Sequence, residues 1–329
     1  MKTYQKKFNW PQIGNDGLLE FLDRSLTSGK LAQTYIFSGP EDLGKSTLAL
    51  AFARNLLLAD KSDLADFSAV NSDLHILSRE AGKKNISIEA VRDFIKTLSL
   101  SSFLNSYKIG IIKEAQTLSD EAANALLKTL EEPREKVIII LLTTSVDLLP
   151  ATIASRAQVL YFYPVSFDSV YDYLTSELNL KRGSAKEMAA LAAGRPLLAA
   201  KFAQDESFYE SLLTSAKLFL SFLNSDISSR LQNLQSFLAD HKPLTVNQTD
   251  DILESWQRIT RDLILFALDC PDLIQHQALL VEIEKIDFSD KENALLYYAN
   301  VLELLNTLKN YLGANVTPTN VLEQVIYNL

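Results

Sequence analysis

Residues Gly39-Pro40-Glu41-Asp42-Leu43-Gly44-Lys45-Ser46 spell Gly-x-x-x-x-Gly-Lys-Ser, a complete phosphate-binding loop. The apolar run Tyr35-Ile36-Phe37 precedes it, and the helical run from Thr47 to Arg54 follows. An ordinary glycine-containing turn does not need that strand–loop–helix setting, whereas a phosphate cradle does. In such a loop the backbone N–H groups and the helix N-terminus converge on a polyphosphate. The expected binding set is Gly39, Gly44, Lys45, Ser46 and Thr47, with Lys45 reaching the terminal phosphates and the Ser46 hydroxyl helping to hold Mg²⁺. The expected cofactor is therefore ATP or ADP.

A loop of this kind belongs in an α/β domain with a parallel sheet, and the first half of the chain alternates accordingly. Asn15 to Ser28 carries Leu18, Leu19, Leu22 and Leu26 on one helical face. Strands are expected at Thr34 to Ser38, Asp73 to Leu77, Lys108 to Ile112, Val137 to Leu142 and about Gln158 to Phe162. In Lys108 to Ile112 the apolar residues run in succession, as in a sheet covered on both faces. Two helices intervene: one carrying Ile88, Val91, Ile95 and Leu98 behind the cap Ser87, the other running from Ser119 to Leu130 and stopping near Pro133. Past Pro164 the strand patterns cease. Short helices fill 166 to about 205, broken at Gly194-Arg195-Pro196, and long amphipathic patterns follow at Leu212 to Leu223, Arg230 to Leu238, Thr249 to Leu268 and Asp290 to Leu312. Three domains are expected: a nucleotide-binding domain over 1–165, a helical lid over 166–206 and a helical domain over 207–329.

Bulk properties narrow the function. The 329 residues suffice for several cores, and a formal charge of −9 argues against binding nucleic acid through the whole surface. Any DNA contact must be local or delegated to partners. The single Cys270 excludes an internal disulfide and a cysteine-rich zinc site, and it reads as a small residue at a helix end. Neither a signal-peptide stretch nor a membrane-length apolar run is found, so the expected compartment is cytoplasmic.

The second half of a phosphate-loop site needs a strand ending in carboxylates, one for Mg²⁺ and one to polarise the attacking water. Here Ile109-Gly110-Ile111-Ile112 runs into Lys113-Glu114. An ammonium about 4 Å from a divalent ion costs several kcal/mol at an effective dielectric near 20. Slipping the strand by one residue to bring Glu114 into the metal role would turn its alternation inside out. Glu114 therefore reads either as a water-activating base or, more simply, as a solvated strand-end carboxylate. Nucleotide binding survives such a change; efficient hydrolysis does not.

The helix Ser119-Asp-Glu-Ala-Ala-Asn-Ala-Leu-Leu-Lys-Thr-Leu-Glu-Glu-Pro133 closely resembles the stretch after the acidic strand in bacterial sliding-clamp loader subunits. So do Thr143-Thr144 and Leu149-Pro150-Ala-Thr-Ile-Ala-Ser155-Arg156, while Trp10 to Gly14 and Lys30 to Phe37 look like the entrance of the same domain. The likeness is specific over 8–165 and architectural in the C-terminal third. It implies an AAA+ parallel-sheet domain, a helical lid and a C-terminal collar in a five-subunit ring. The implied partners are gamma/tau and delta subunits, the sliding clamp and primed DNA. The family's Ser-Arg-Cys arginine finger falls on Ser155-Arg156-Ala157, which implies that Arg156 acts on a neighbour's triphosphate; by pattern alone it is a surface arginine. Thr143 or Thr144 matches the family's sensor. Two departures stand out: residues 56–72 contain none of the family's zinc-binding cysteines, and the lid sensor arginine falls on Leu197, with Arg195 out of register. Together with Lys113 they point to a stator that assists hydrolysis elsewhere. A gamma/tau-type motor is the nearest alternative, and a free-standing AAA+ motor such as a Holliday-junction ATPase is the third.

Simpler readings hold for other features. His75 is a strand residue, Tyr161-Phe162-Tyr163 forms core between strand and lid, Lys6-Lys7 and Lys83-Lys84 are solvated, and the apolar faces after 206 build a core or a collar.

Overall fold

The computed structural model describes residues 8–11, 14–58, 72–80, 82–102, 107–132, 134–239, 244–312 and 316–329. It divides into two compact units, Met1–Ser166 with Arg195–Leu197, and Phe167–Gly194 with Leu198–Leu329.

The first unit runs α1 (Asp16–Ser28), β1 (Thr34–Ser38), α2 (Lys45–Leu58), β2 (Leu74–Leu77), α3 (Ile88–Leu98), β3 (Lys108–Ile112), α4 (Asp120–Glu131), β4 (Val137–Thr143), α5 (Ala151–Ala154) and β5 (Gln158–Tyr161). The five strands form one parallel sheet in the order β2-β3-β4-β1-β5. Side chains alternate across the pleat, so each buried strand feeds two cores. Ile138, Ile140 and Leu142 join Tyr35, Phe37 and the inner faces of α1 and α2. Val137, Ile139 and Leu141 join Ile36 and the inner faces of α3, α4 and α5. The uninterrupted apolar run of β4 is thus explained by burial on both sides. Truncating fully buried Ile140 to alanine would cost about 2–5 kcal/mol.

The helices begin where their caps require. The Ser87 hydroxyl accepts from the Ala90 N–H at 3.3 Å, and that of Ser119 from the Ala122 N–H at 3.2 Å. Gly110 admits α3 to the sheet, because a Cβ there would lie 2.5 Å from Phe94 Cζ. Of Tyr161-Phe162-Tyr163, only Phe162 enters the core, against Phe37. Tyr161 and Tyr163 are 48% and 65% exposed, which corrects the expectation of a buried trio. The cause is strand alternation at β5, an edge strand paired on one side only.

The second unit is helical: α6 (Phe167–Ser176), α7 (Arg182–Ala192), α8 (Pro196–Gln204, its first two residues grouped with the first unit), α9 (Glu206–Leu223), α10 (Ile227–Ala239), α11 (Val246–Ala267), α12 (Leu280–Ile283), α13 (Lys291–Leu312) and α14 (Pro318–Asn328). The break before α8 is made by Ala193 and Gly194, both left-handed. Trp256 of α11 is fully buried against Phe219 and Phe222 of α9, and its indole N–H donates to the Ser215 carbonyl at 3.0 Å. Lower on α11, buried Asp262 Oδ2 accepts the N–H groups of Gln275 and His276 at 3.0 and 2.8 Å and lies 2.7 Å from His276 Nδ1. The loop after Cys270 is fastened to the helix in this way. Among the described residues no helix is long and apolar enough to cross a membrane.

Candidate phosphate-binding site

The C-terminal edge of a parallel sheet is where such folds bind ligands, and the loop Gly39–Ser46 lies there, between the end of β1 and α2. Gly39 is held from both sides. Its N–H donates to the Thr143 carbonyl at 3.2 Å, and the neighbouring Ser38 carbonyl accepts from the Phe162 N–H at 2.7 Å. A Cβ at Gly39 would collide with the Phe162 carbonyl oxygen, so the residue type is set by backbone approach. Asp42 has φ 61°, and its carbonyl accepts from the Leu197 N–H at 3.1 Å. Leu197 stands in the first turn of α8, where an N–H has no partner within its own helix.

A cleft of about 280 Å³ opens on this loop. Of the sequence-expected residues, Gly44, Lys45, Ser46, Thr143, Thr144 and Glu114 line it, whereas Gly39, Thr47 and Arg156 do not. Sequence reasoning did not single out Glu41, Asp42, Gln116 or Leu142 as lining it. Gln116 Oε1 is buried without a hydrogen-bond partner, an acceptor that a donor on a bound molecule would satisfy. Leu197, where the resemblance looked for an arginine, also lines the cleft, and Arg195 does not.

Lys45 Nζ donates to the carbonyls of Gly39 and Pro40. Burial holds its pKa below the ordinary lysine value, while the charges of Glu41 and Asp42 push it back up. The Thr143 hydroxyl donates to the Ser145 carbonyl at 2.8 Å, fixing this buried side chain at the end of β4. At the end of β3, Lys113 extends the strand's pairing through its N–H to the Leu77 carbonyl at 2.8 Å, and the residue lines the cleft. Glu114 adopts φ 51° and accepts from Arg79 Nε at 2.8 Å.

The end of β3 does not fit a magnesium centre. The position that should offer a carboxylate offers an ammonium, and the next carboxylate is paired with Arg79. Among the described residues no group of three or more His, Cys, Asp or Glu side chains is arranged to hold a metal ion. Most of 56–72, where the zinc-binding cysteines were sought, lies outside the described residues.

Arg156 follows α5. Its Nη2 lies 2.7 Å from Glu131 Oε1 at the end of α4, and its Nη1 donates to the Thr152 carbonyl at 2.9 Å. Both charged side chains are partly exposed, so the pair contributes about 0–1 kcal/mol to stability. Its effect is on direction, since two contacts aim the guanidinium. His75 sits in β2 opposite Gly110, and burial together with the Lys108 charge lowers its pKa.

Residues 14–166 match the family model described as DNA polymerase III, delta subunit. DNA polymerase III subunit gamma/tau of Mycoplasma genitalium is 32% identical over 182 residues, covering 52% of this chain and 30% of the relative. DNA polymerase III subunit delta' of Escherichia coli is 32% identical over 129 residues, 39% of either chain. The crystal structure of a DNA polymerase III gamma subunit-related protein from Thermotoga maritima superposes with a TM-score of 0.51 at 18% identity, over 94% of this chain and 97% of that one, a likeness of fold. The chain spans 30–47% of the length of the first three curated relatives it matches. Sheet order and phosphate loop together define a parallel-sheet P-loop domain. Residues 14–166 are similar in sequence to subunits of DNA polymerase III, gamma/tau and delta' among them.

Proposed function

We propose that the chain is the delta-prime subunit of a bacterial DNA polymerase III clamp loader, a cytoplasmic protein that helps to place the sliding clamp on primed DNA. It works within a hetero-oligomer of gamma/tau and delta subunits as a stator and presents Arg156 to the ATP of an adjacent motor subunit. Its own loop holds ATP or ADP without efficient turnover. Residues 1–165 serve as the nucleotide domain, 166–206 as the lid and 207–329 as the collar.

The observation that carries this reading is the strand end after β3, where Lys113 faces the cleft and Glu114 is paired with Arg79. With no free carboxylate there, neither the metal nor the attacking water is served. Arg156 lies outside the chain's own cleft and is aimed by Glu131, which supports action on another subunit. A planar, permanently charged fork suits charge developing on a γ-phosphate. The intact phosphate loop and the gamma/tau relatives favour a second reading, an active loader ATPase.

ATP turnover by the isolated chain separates the two. A Mg²⁺-dependent rate abolished by Lys45→Ala would establish the motor and remove the stator. For the stator, Arg156→Ala leaves the fold intact and lowers turnover of the reconstituted loader severalfold or more; unchanged turnover would mean that Arg156 is not the finger.

A further inference from the structure

We propose that the cleft takes a nucleoside polyphosphate free of divalent cation, with the Lys113 ammonium standing where a metal ion would be expected. This rests on the reading that the phosphate loop binds nucleotide. Lys45 at the start of α2 and Lys113 at the end of β3 both line the cleft, so two lysines from different elements border one small space. A polyphosphate bound there meets positive charge on both sides, as it would between the loop lysine and a metal. A divalent ion beside those phosphates would instead be repelled by Lys113.

The available oxygens do not reverse this balance. Glu114 is engaged by Arg79 at 2.8 Å. Glu41 and Asp42 sit on the loop itself, exposed, and their charges act on Lys45. The Thr143 hydroxyl donates to Ser145. Ser46 alone of the usual metal-holding pair remains, and the carboxylate that magnesium ordinarily takes beside phosphates and waters is replaced by an ammonium. Metal-bound nucleotide carries less negative charge than the free form, so two ammoniums favour the free form.

The test is titration of ATP and of ADP into the full-length chain, in millimolar MgCl₂ and again in EDTA, with Lys113→Ala, Lys113→Asp and Lys45→Ala alongside. Thermal melting confirms that each variant is folded. Wild-type affinity should be equal within about twofold in the two buffers or tighter in EDTA, and Lys113→Ala should weaken binding in EDTA about tenfold. Lys113→Asp should bind only when Mg²⁺ is present. Wild-type affinity at least tenfold weaker in EDTA would overturn the inference, as would a Lys113→Ala variant that binds like wild type. If Lys45→Ala abolishes binding while Lys113→Ala does not, the phosphate loop stands as a nucleotide site and this inference falls alone. No binding by the wild type in either buffer removes both.

Discussion

Gly39 shows how closely the site depends on single atoms. The Phe162 carbonyl occupies the space a side chain would need, so Gly39→Ala must push β5 away from the loop. We expect a loss of about 1–3 kcal/mol in chemical denaturation and a larger loss of nucleotide binding. Lys45 makes a different prediction. Burial lowers its pKa from 10.5, so folding penalises the charged form; that penalty is full below the folded pKa and fades as pH climbs toward 10.5. Phosphate affinity runs the other way, declining with rising pH earlier than an ordinary lysine would allow. Lys45→Arg stays charged throughout, so titrating phosphate or nucleotide against both proteins should flatten the alkaline decline in the variant. Glycine spacing and the Lys-Ser pair made this residue set legible from sequence. Gln116 was not, because its place in the cleft comes from the three-residue turn after β3, where sequence pattern has no period to follow.

Among the elements, α4 and α5 act together through Glu131 and Arg156. Glu131→Gln removes the charge that aims the guanidinium but leaves Arg156 itself. On the stator reading proposed above, turnover of the reconstituted loader should fall less than with Arg156→Ala, and Glu131→Asp should recover part of it; wild-type turnover in all three variants would show that the pair has no role in hydrolysis. On α11, Asp262→Ala strands two backbone donors and an imidazole in a buried place, and urea denaturation should register a loss of about 3–5 kcal/mol. The long helices were legible because their apolar spacing keeps the helical period, and α9, α11 and α13 fall within a few residues of expectation except at the start of α9. The short helices between Pro271 and Ile283 were not, since their few turns carry no sustained period, and α14 went unread behind its N-terminal Pro318. Tyr161 and Tyr163 misled for another reason: aromatic residues resemble core until the pairing shows that their strand is an edge.

For the whole molecule, an acidic chain of net charge −9 gains little from nonspecific attraction to DNA. On the proposed reading, its contribution to a loader should come through subunit contacts. Mixing it with gamma/tau and delta subunits should give a discrete hetero-oligomer by mass analysis, and omitting it should lower the assembly's turnover. The phosphate-loop unit could be read from motifs because a phosphate cradle demands fixed residues at fixed places. The helical second unit answers only to packing, which many sequences satisfy.

The bond from the Leu197 amide to the Asp42 carbonyl, both in the first unit, holds the loop by a single proton. Any guest that reshapes the loop must tug on or release that proton. Deuterium uptake at this one position thus offers a gauge of occupancy that needs no labelled ligand and no turnover.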